Sequence, residues 1–408
     1  MTDPTTLNVF PFEVNTADNP VLSVRCRTDI REGASGFEHR DALWPVAAIG
    51  IEFDAQNWWT LAGARALERF IRSNLGNKIV VPLWTEAVRI AATTSGATIQ
   101  CGSTSNRLFA ATRGVFVWKD EDTYEVKNVT TLNATSIVTT GNLVNTYHAG
   151  DVVMPVIVTE PVTRWDVAQW ITAHQVGTRM RFNEDPTEAI AMAFNPSETT
   201  YQSIPVWPYR CDWSQQLRQS HEARLAMYAN ATGIIAASVL SGHARAGLEG
   251  RVYLDGRSEV AGAMRFFANR RGMSGRFWMP NWKEDFALAA DIGSGVTLDV
   301  VDSDYALLEA AETGTYARRW LCIRDLANEV LYFRMVTNVQ DIGDGVERIT
   351  VDDALPALDD ASTGVGFALL SRFGLDDLSI EMHDADHGTA DVRFVECAAE
   401  EYEEIVPN

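Results

Sequence analysis

The chain states one pattern twice, and no other feature limits its fold as strongly. Val9-Phe10-Pro11-Phe12 returns as Val206-Trp207-Pro208-Tyr209, a shift of 206 minus 9, or 197 positions. The run from Gly63 to Phe70, followed by Val81-Pro82-Leu83-Trp84, is answered by Val260 to Phe267 and Met279-Pro280-Asn281-Trp282, where 282 minus 84 gives 198. Ser95 to Ile99 matches Ser294 to Leu298 at a step of 199, and Gly177 to Phe182 matches Gly388 to Phe394 at about 212. Four echoes in one order, with slowly growing offsets, predict two copies of one module whose loops have drifted in length.

With 408 residues the chain exceeds what one core usually organises, so two units of about 200 residues, each burying its own core, fit both length and repeat. The expected boundaries are 1–195 and 196–408. The five cysteines lie far apart with no Cys-x-x-Cys pair, which disfavours zinc and disulfide scaffolds. Cys26 and Cys211 each follow an Arg in a strand-like run and read as buried, reduced thiols. The N-terminal Met1 to Thr6 has no basic patch before an apolar core, and no apolar run approaches the ~18 residues of a membrane helix. The expectation is synthesis in a reducing cytoplasm, with no membrane segment.

Most of the chain has strand character. Val153–Val158, Val115–Trp118, Leu331–Val336 and Arg348–Val351 are β-branched and aromatic runs bounded by turns such as Asp341–Gly345. Ala64, Leu67, Phe70 and Ile71 recur at helical spacing with Arg65, Glu68, Arg69 and Arg72 on the other face, and Val260, Met264 and Phe267 repeat the pattern. Asn74 to Gly76 and Arg271-Gly272 supply the stops. The predicted fold is therefore mainly β: a tandem duplication of a β-sandwich or barrel module carrying one amphipathic helix. Each copy holds an inserted β-rich subdomain, about 86–158 and 284–372, before a closing strand at Arg179–Phe182 or Asp391–Phe394. A further stretch, Gln215 to Ala236, is rich in Ala, Leu, Glu and Arg and predicts a helix found only in the second copy. The acidic end, Glu400 to Glu404, reads as a solvated, frayed tail.

Catalytic signals are sparse. The metal candidate is His383, Asp384, Asp386 and His387, two imidazoles and two carboxylates within five residues. They sit in a polar turn before Gly388 with no distant third partner announced, so no metal is assigned. Asp352-Asp353, Asp376-Asp377 and Asp120-Glu121-Asp122 read as solvated turns, because adjacent residues on a strand point to opposite faces. No phosphate loop, dinucleotide fingerprint, nucleophile elbow or His-Glu-x-x-His pattern occurs. No catalytic residue and no cofactor is assigned, and the expectation is a protein that is not an enzyme.

The 12 Trp residues carry more information. Trp84 and Trp282 follow Pro82 and Pro280 in matching strands, beside Trp278, and with Phe70 and Phe267 they make up the framework motif. Repetition of Trp84 and Trp282 points to core packing under the helix. Trp58-Trp59 has no matching pair in the second copy and is the interface candidate, against a locally buried cluster.

From Gly275 through Phe286, with Phe277-Trp278-Met279-Pro280-Asn281-Trp282 at its centre, and on through Leu288 to Val300, the sequence resembles tail proteins of long-tailed bacteriophages. The similarity is to tail-tip components, the distal tail and baseplate hub-like proteins. It covers the helix, the Pro-x-Trp strand and the start of the insert in both copies; the first copy, Ile79 to Trp84, lacks the extra aromatic pair. The resemblance implies a virion protein at the tail tip, in a ring that joins the tail tube protein to hub or other baseplate proteins and anchors fibres or receptor-binding parts.

A six-fold ring is built from six single modules or from three chains that each supply two. Three double-module chains let a six-fold tube meet a three-fold tip, so a trimer with pseudo-six-fold symmetry is expected, with a hexamer as the alternative. The net charge of -21 argues against a nucleic-acid-binding surface and suits a channel that DNA passes without specific binding. Competing expectations are a carbohydrate-binding or depolymerising tail protein and a part of a tail-derived bacterial secretion apparatus.

Overall fold

The computed structural model describes residues 2–15, 18–33, 38–55, 61–161, 169–172, 175–177, 179–192, 198–213, 215–222, 225–229, 233, 235–239, 244–307, 318–398, 401–402 and 404–405. The first half runs through β1 (Val14–Asn15), β2 (Val21–Arg25), β3 (Thr28–Glu32), β4 (Glu38–Ala42), β5 (Ala48–Ala55), α1 (Leu61–Asn74) and β6 (Val80–Pro82). Its insert holds β7 (Val88–Arg89), β8 (Thr98–Gln100), β9 (Gly114–Asp120), β10 (Thr123–Asn133) and β11 (Ser136–Thr139). The chain returns in β12 (Val152–Val158), β13 (Gln169–Thr172), β14 (Gln175–Gly177) and β15 (Arg179–Asn183).

The second half opens with β16 (Thr200–Tyr201), β17 (Ile204–Pro205), β18 (Arg218–Glu222), β19 (Leu225–Ala229), β20 (Ile235–Val239), β21 (Arg245–Leu254), α2 (Arg257–Arg270) and β22 (Phe277–Pro280). Its insert holds β23 (Gly295–Val301), β24 (Trp320–Asp325), β25 (Val330–Gly343) and β26 (Val346–Leu355), and β27 (Thr363–Phe373), β28 (Asp377–Met382) and β29 (Gly388–Glu396) close it. The protein is mainly β, 49% strand, in antiparallel sheets.

Strand pairings of the first half recur in the second. Val14 faces Ala55 across β1 and β5, and Cys211 faces Val252, each partner 197 positions on. The β2–β5 ladder, Val21↔Glu52 to Arg25↔Ala48, becomes the β18–β21 ladder, Arg218↔Glu249 to Glu222↔Arg245, by the same step. Phe182↔Ile51 corresponds to Phe394↔Leu248, and Val156↔Pro82 to Ala368↔Pro280. Val9 and Val206 make matching parallel bridges to Val80 and Trp278. A one-residue slip would turn every side chain of a strand to the other face, so register held through this many pairs is a strong constraint.

Both helices end as their sequences predict. Gly76 takes φ +80°, and Arg271 and Gly272 follow α2 with left-handed φ, the Gly272 N–H donating to the Phe267 carbonyl at 3.2 Å.

Three expectations need correction. Residues 215–236 form no helix where described: β18, β19 and β20 lie there, with Gly233 at φ +80° between the last two. Helix propensity differs by only ~0.7 kcal/mol among ordinary residues, and ladder pairing with β21 and within the β19–β20 hairpin outweighs it. The halves also do not keep separate cores. One apolar cluster runs from Phe10, Leu22 and Phe53 through Trp207, Phe267 and Phe394, while each insert has a core of its own around Val117 or Ile323. In the acidic end, Glu401 and Tyr402 are anchored rather than frayed. Glu401 pairs with Arg372 at 2.5 Å, and Tyr402 is buried with its hydroxyl donating to Glu396 at 3.0 Å.

Candidate assembly interface

The described surface best suited to function is the joint between the halves. β2 lies between β5 of its own half and β28 of the other, in the register Val21↔Glu381, Leu22↔Ile380, Ser23↔Ser379, Val24↔Leu378 and Arg25↔Asp377. One sheet thereby runs through both halves. Leu22 and Val24 are buried in the shared core, with α2 packed over β2.

Polar groups lock this joint at the Arg25 end. The Asp376 carboxylate accepts from the Thr28 N–H at 2.6 Å, the Thr28 hydroxyl at 2.8 Å and the Met273 N–H at 2.9 Å, and its carbonyl accepts from the Cys26 N–H at 2.7 Å. Asp377 pairs with Arg181 at 2.7 Å. The solvated-turn reading therefore fails for Asp376, whose partners lie in distant segments. It stands for Asp120 and Asp122, exposed in the β9–β10 turn. Asp352 is exposed but engaged, accepting from the Tyr201 hydroxyl at 3.0 Å and the Met335 N–H at 2.8 Å.

At the start of α2, buried Arg257 pairs with fully buried Glu86 of the first half and donates to the Asn106 carbonyl at 2.9 Å. Glu86 also accepts from the Leu108 N–H at 3.0 Å. Glu38 is held below the usual carboxylate range: burial opposes this, but Arg40 and Arg245 both bind it.

Two buried glutamates occupy matching positions that the sequence motifs do not announce. Glu184 accepts from the Ile49 N–H at 2.9 Å and Glu396 from the Ala246 N–H at 2.7 Å. Glu184 also binds Arg113 at 2.9 Å. Burial raises both carboxyls, Glu396 to about 7. A signal was present: each lies two positions after the closing-strand Phe, in Phe182-Asn183-Glu184 and Phe394-Val395-Glu396.

The metal candidate closes the β28–β29 turn. Asp384 accepts from the backbone N–H groups of Asp386 and His387, both at 2.7 Å, which with the His387 ring hold its carboxyl at about 2. His387, raised by Asp384, also contacts Asp255 at 3.3 Å. Asp386 instead reaches Arg107 across the joint at 2.9 Å, and His383 meets the Thr389 hydroxyl at 3.2 Å. The four side chains thus serve separate contacts and share no common centre. Among the described residues, carboxylates converge at Asp291, Asp359 and Asp360, all exposed, with Asp291 accepting from the Asp360 N–H and Asp359 from the Ala361 N–H.

The framework residues all take part in packing. Phe70 lies 5.7 Å from both Phe10 and Phe12, and Phe267 lies 4.8 Å from Phe373. Pro82 and Pro280 sit at the matching β6 and β22 positions. Trp84 stacks edgewise on Trp118 at 5.2 Å, Trp278 lies 4.7 Å from Trp320, and Trp282 is buried at φ +58°. Trp58 and Trp59 lie outside the described residues. A scan against protein-family models and a search of curated proteins return no match for this chain. Among the described residues no helix is long and apolar enough to cross a membrane.

Proposed function

We propose that this protein is a structural component of a phage tail tip. It contributes two copies of one module to a ring that joins the tail tube to the hub and anchors fibres. Three chains complete the ring, giving pseudo-six-fold symmetry. The observation that carries the reading is the repeated ladder register together with a head-to-tail joint, in which one module's β2 meets the other's β28. A joint of that polarity presents different surfaces at its two ends, which is the kind of contact that closes into rings. The buried pair Glu86–Arg257 and the half-buried Asp376 are committed to this joint, and Asp384 to a turn, which favours a structural over a catalytic role.

The net charge of -21 gives the ring a surface that repels DNA passing through it. Cryo-EM of the tail tip with this chain traced in place tests the proposal. Three chains in a ring between tube and hub are expected. A particle whose tip lacks the chain, or a solitary molecule that turns over capsule polysaccharide, overturns it.

A further inference from the structure

Strands joined on both edges inside the chain have two counterparts that, among the described residues, are paired on one edge. β2 is covered on both edges, by β5 and β28. Its counterpart β18, 197 positions on, pairs among the described residues only with β21, and all five of its residues are exposed. β28 is covered by β29 and β2, whereas its counterpart β13 pairs among the described residues only with β14. β13–β14 and β28–β29 are the hairpins that lead into the matching strands β15 and β29, and the pairs Gln169↔Gly177 and Trp170↔Val176 hold the places of Glu381↔Thr389 and Met382↔Gly388, 212 positions on. Open strand edges are pairing templates.

We propose, building on the ring reading above, that copies of this chain join head to tail by strand addition, the outer edge of β18 in one copy pairing antiparallel with β13 of the next. Carrying the β2–β28 pair Val21↔Glu381 across by 197 and 212 positions sets Arg218 against Gln169. The inter-chain joint then repeats the intra-chain one, and every module in the ring has the same two neighbours.

Side chains on both sides of the repeated joint change character together. At the internal joint α2 lies over Leu22 and Val24 of β2, and Val260 through Phe267 are all buried. At the outer joint the corresponding helix is α1, which packs on β14 and exposes Arg65, Glu68, Arg69 and Arg72. The strand it would cover carries Gln219 and His221 in place of Leu22 and Val24. A polar helix face matched to a polar strand is what a joint made after folding requires.

Backbone direction supplies the test. In β2 the Cys26 N–H donates to Asp376 and the Pro20 carbonyl accepts from Met382, so the even positions turn toward β28 and Ser23 turns away. Val21↔Glu381, an odd pair like Ser23↔Ser379, is therefore a closely spaced pair of the kind a disulfide can span. Oxidised full-length chain carrying Arg218→Cys and Gln169→Cys, run without reductant, is expected to give cross-linked species ending at three chains, with neither single variant doing so. His221→Pro removes only an outward N–H, which an edge strand tolerates, and should shift the assembled species in mass photometry to the 45.1 kDa single chain. A double-cysteine chain that stays at one chain length, or an unchanged ring with His221→Pro, overturns the joint. A tail-tip ring that contains the chain with β18 unpaired overturns the joint alone, and a cross-linked trimer absent from the tail tip overturns only the ring's proposed place.

Discussion

Replacing Glu396 with Gln isolates one buried carboxyl in the packing between the second module and the chain end. In the folded protein Glu396 accepts from the Ala246 N–H and the Tyr402 hydroxyl, and burial raises its carboxyl from 4.5 to about 7. A group raised in this way binds a proton more tightly when folded. Its stabilising contribution is fully present below pH 4.5 and is lost as pH rises through 7. At ~1.4 kcal/mol per pH unit the full span is about 3 kcal/mol. Glutamine cannot ionise; its one oxygen keeps one of the two hydrogen bonds, which go to different carboxylate oxygens, and the loss of the other is a cost that does not vary with pH. The difference in stability between wild type and Glu396→Gln should therefore swing by about 3 kcal/mol toward the variant between pH 4 and pH 8, in the sense that follows from linkage. Urea titrations followed by Trp fluorescence suit the measurement, because Trp278 lies 6.1 Å from Tyr402 and 4.7 Å from Trp320. Parallel stability curves for the two proteins across that range would refute the reasoning.

Glu86→Ala strands the Arg257 guanidinium inside the joint and should cost ~3–5 kcal/mol, whereas Glu86→Ala combined with Arg257→Met should recover most of the loss; equal urea midpoints for the single and double variants would show that the pair does not hold the halves. Gly272→Ala places a Cβ 2.4 Å from Asp376 Oδ1 and 2.9 Å from Cys26 Cβ at φ +64°, while Gly76→Ala at φ +80° meets nothing within 4 Å. Thermal unfolding should therefore fall further for the first, by more than the ~1 kcal/mol that a non-glycine residue costs in that backbone region; equal losses would place the joint elsewhere. Phe394→Ala and Phe182→Ala remove matching core rings and should each cost ~3–5 kcal/mol in calorimetry, an expectation that fails if only one of the two positions matters.

Much of the fold was legible because its elements are locally encoded. Val153–Val158 and Leu331–Val336 carry enough β-branched and aromatic residues to form β12 and part of β25. The apolar spacing of Ala64, Leu67 and Ile71 forms the inner face of α1. The region 215–236 misleads because Ala, Leu and Arg favour a helix locally, while the decisive pairing of β18 is to β21, beyond the intervening hairpin. Asp376 was opaque for the same reason: its adjacent-carboxylate context suggests a turn, and its partner Thr28 lies 348 positions away. Burial of Glu401 and Tyr402 was likewise hidden, since acidic composition predicts solvation and Arg372 reverses it.

The contrast between β2 and β18 ties these observations to assembly. Val21-Leu22-Ser23-Val24-Arg25 and Arg218-Gln219-Ser220-His221-Glu222 hold the same ladder position, yet the first is largely buried and the second fully exposed. A strand whose partner is in the same chain meets that partner on every folding event, so apolar residues there are always covered. A strand whose partner belongs to another copy must wait in water, where an apolar edge would invite indiscriminate pairing, and charged residues restrain it. If the two modules descend from one ancestor with a symmetric joint, fusion removed the need for solubility at one joint and kept it at the other. The sequence difference between the two strands then records which edge was sealed inside the chain and which stayed open for the next copy.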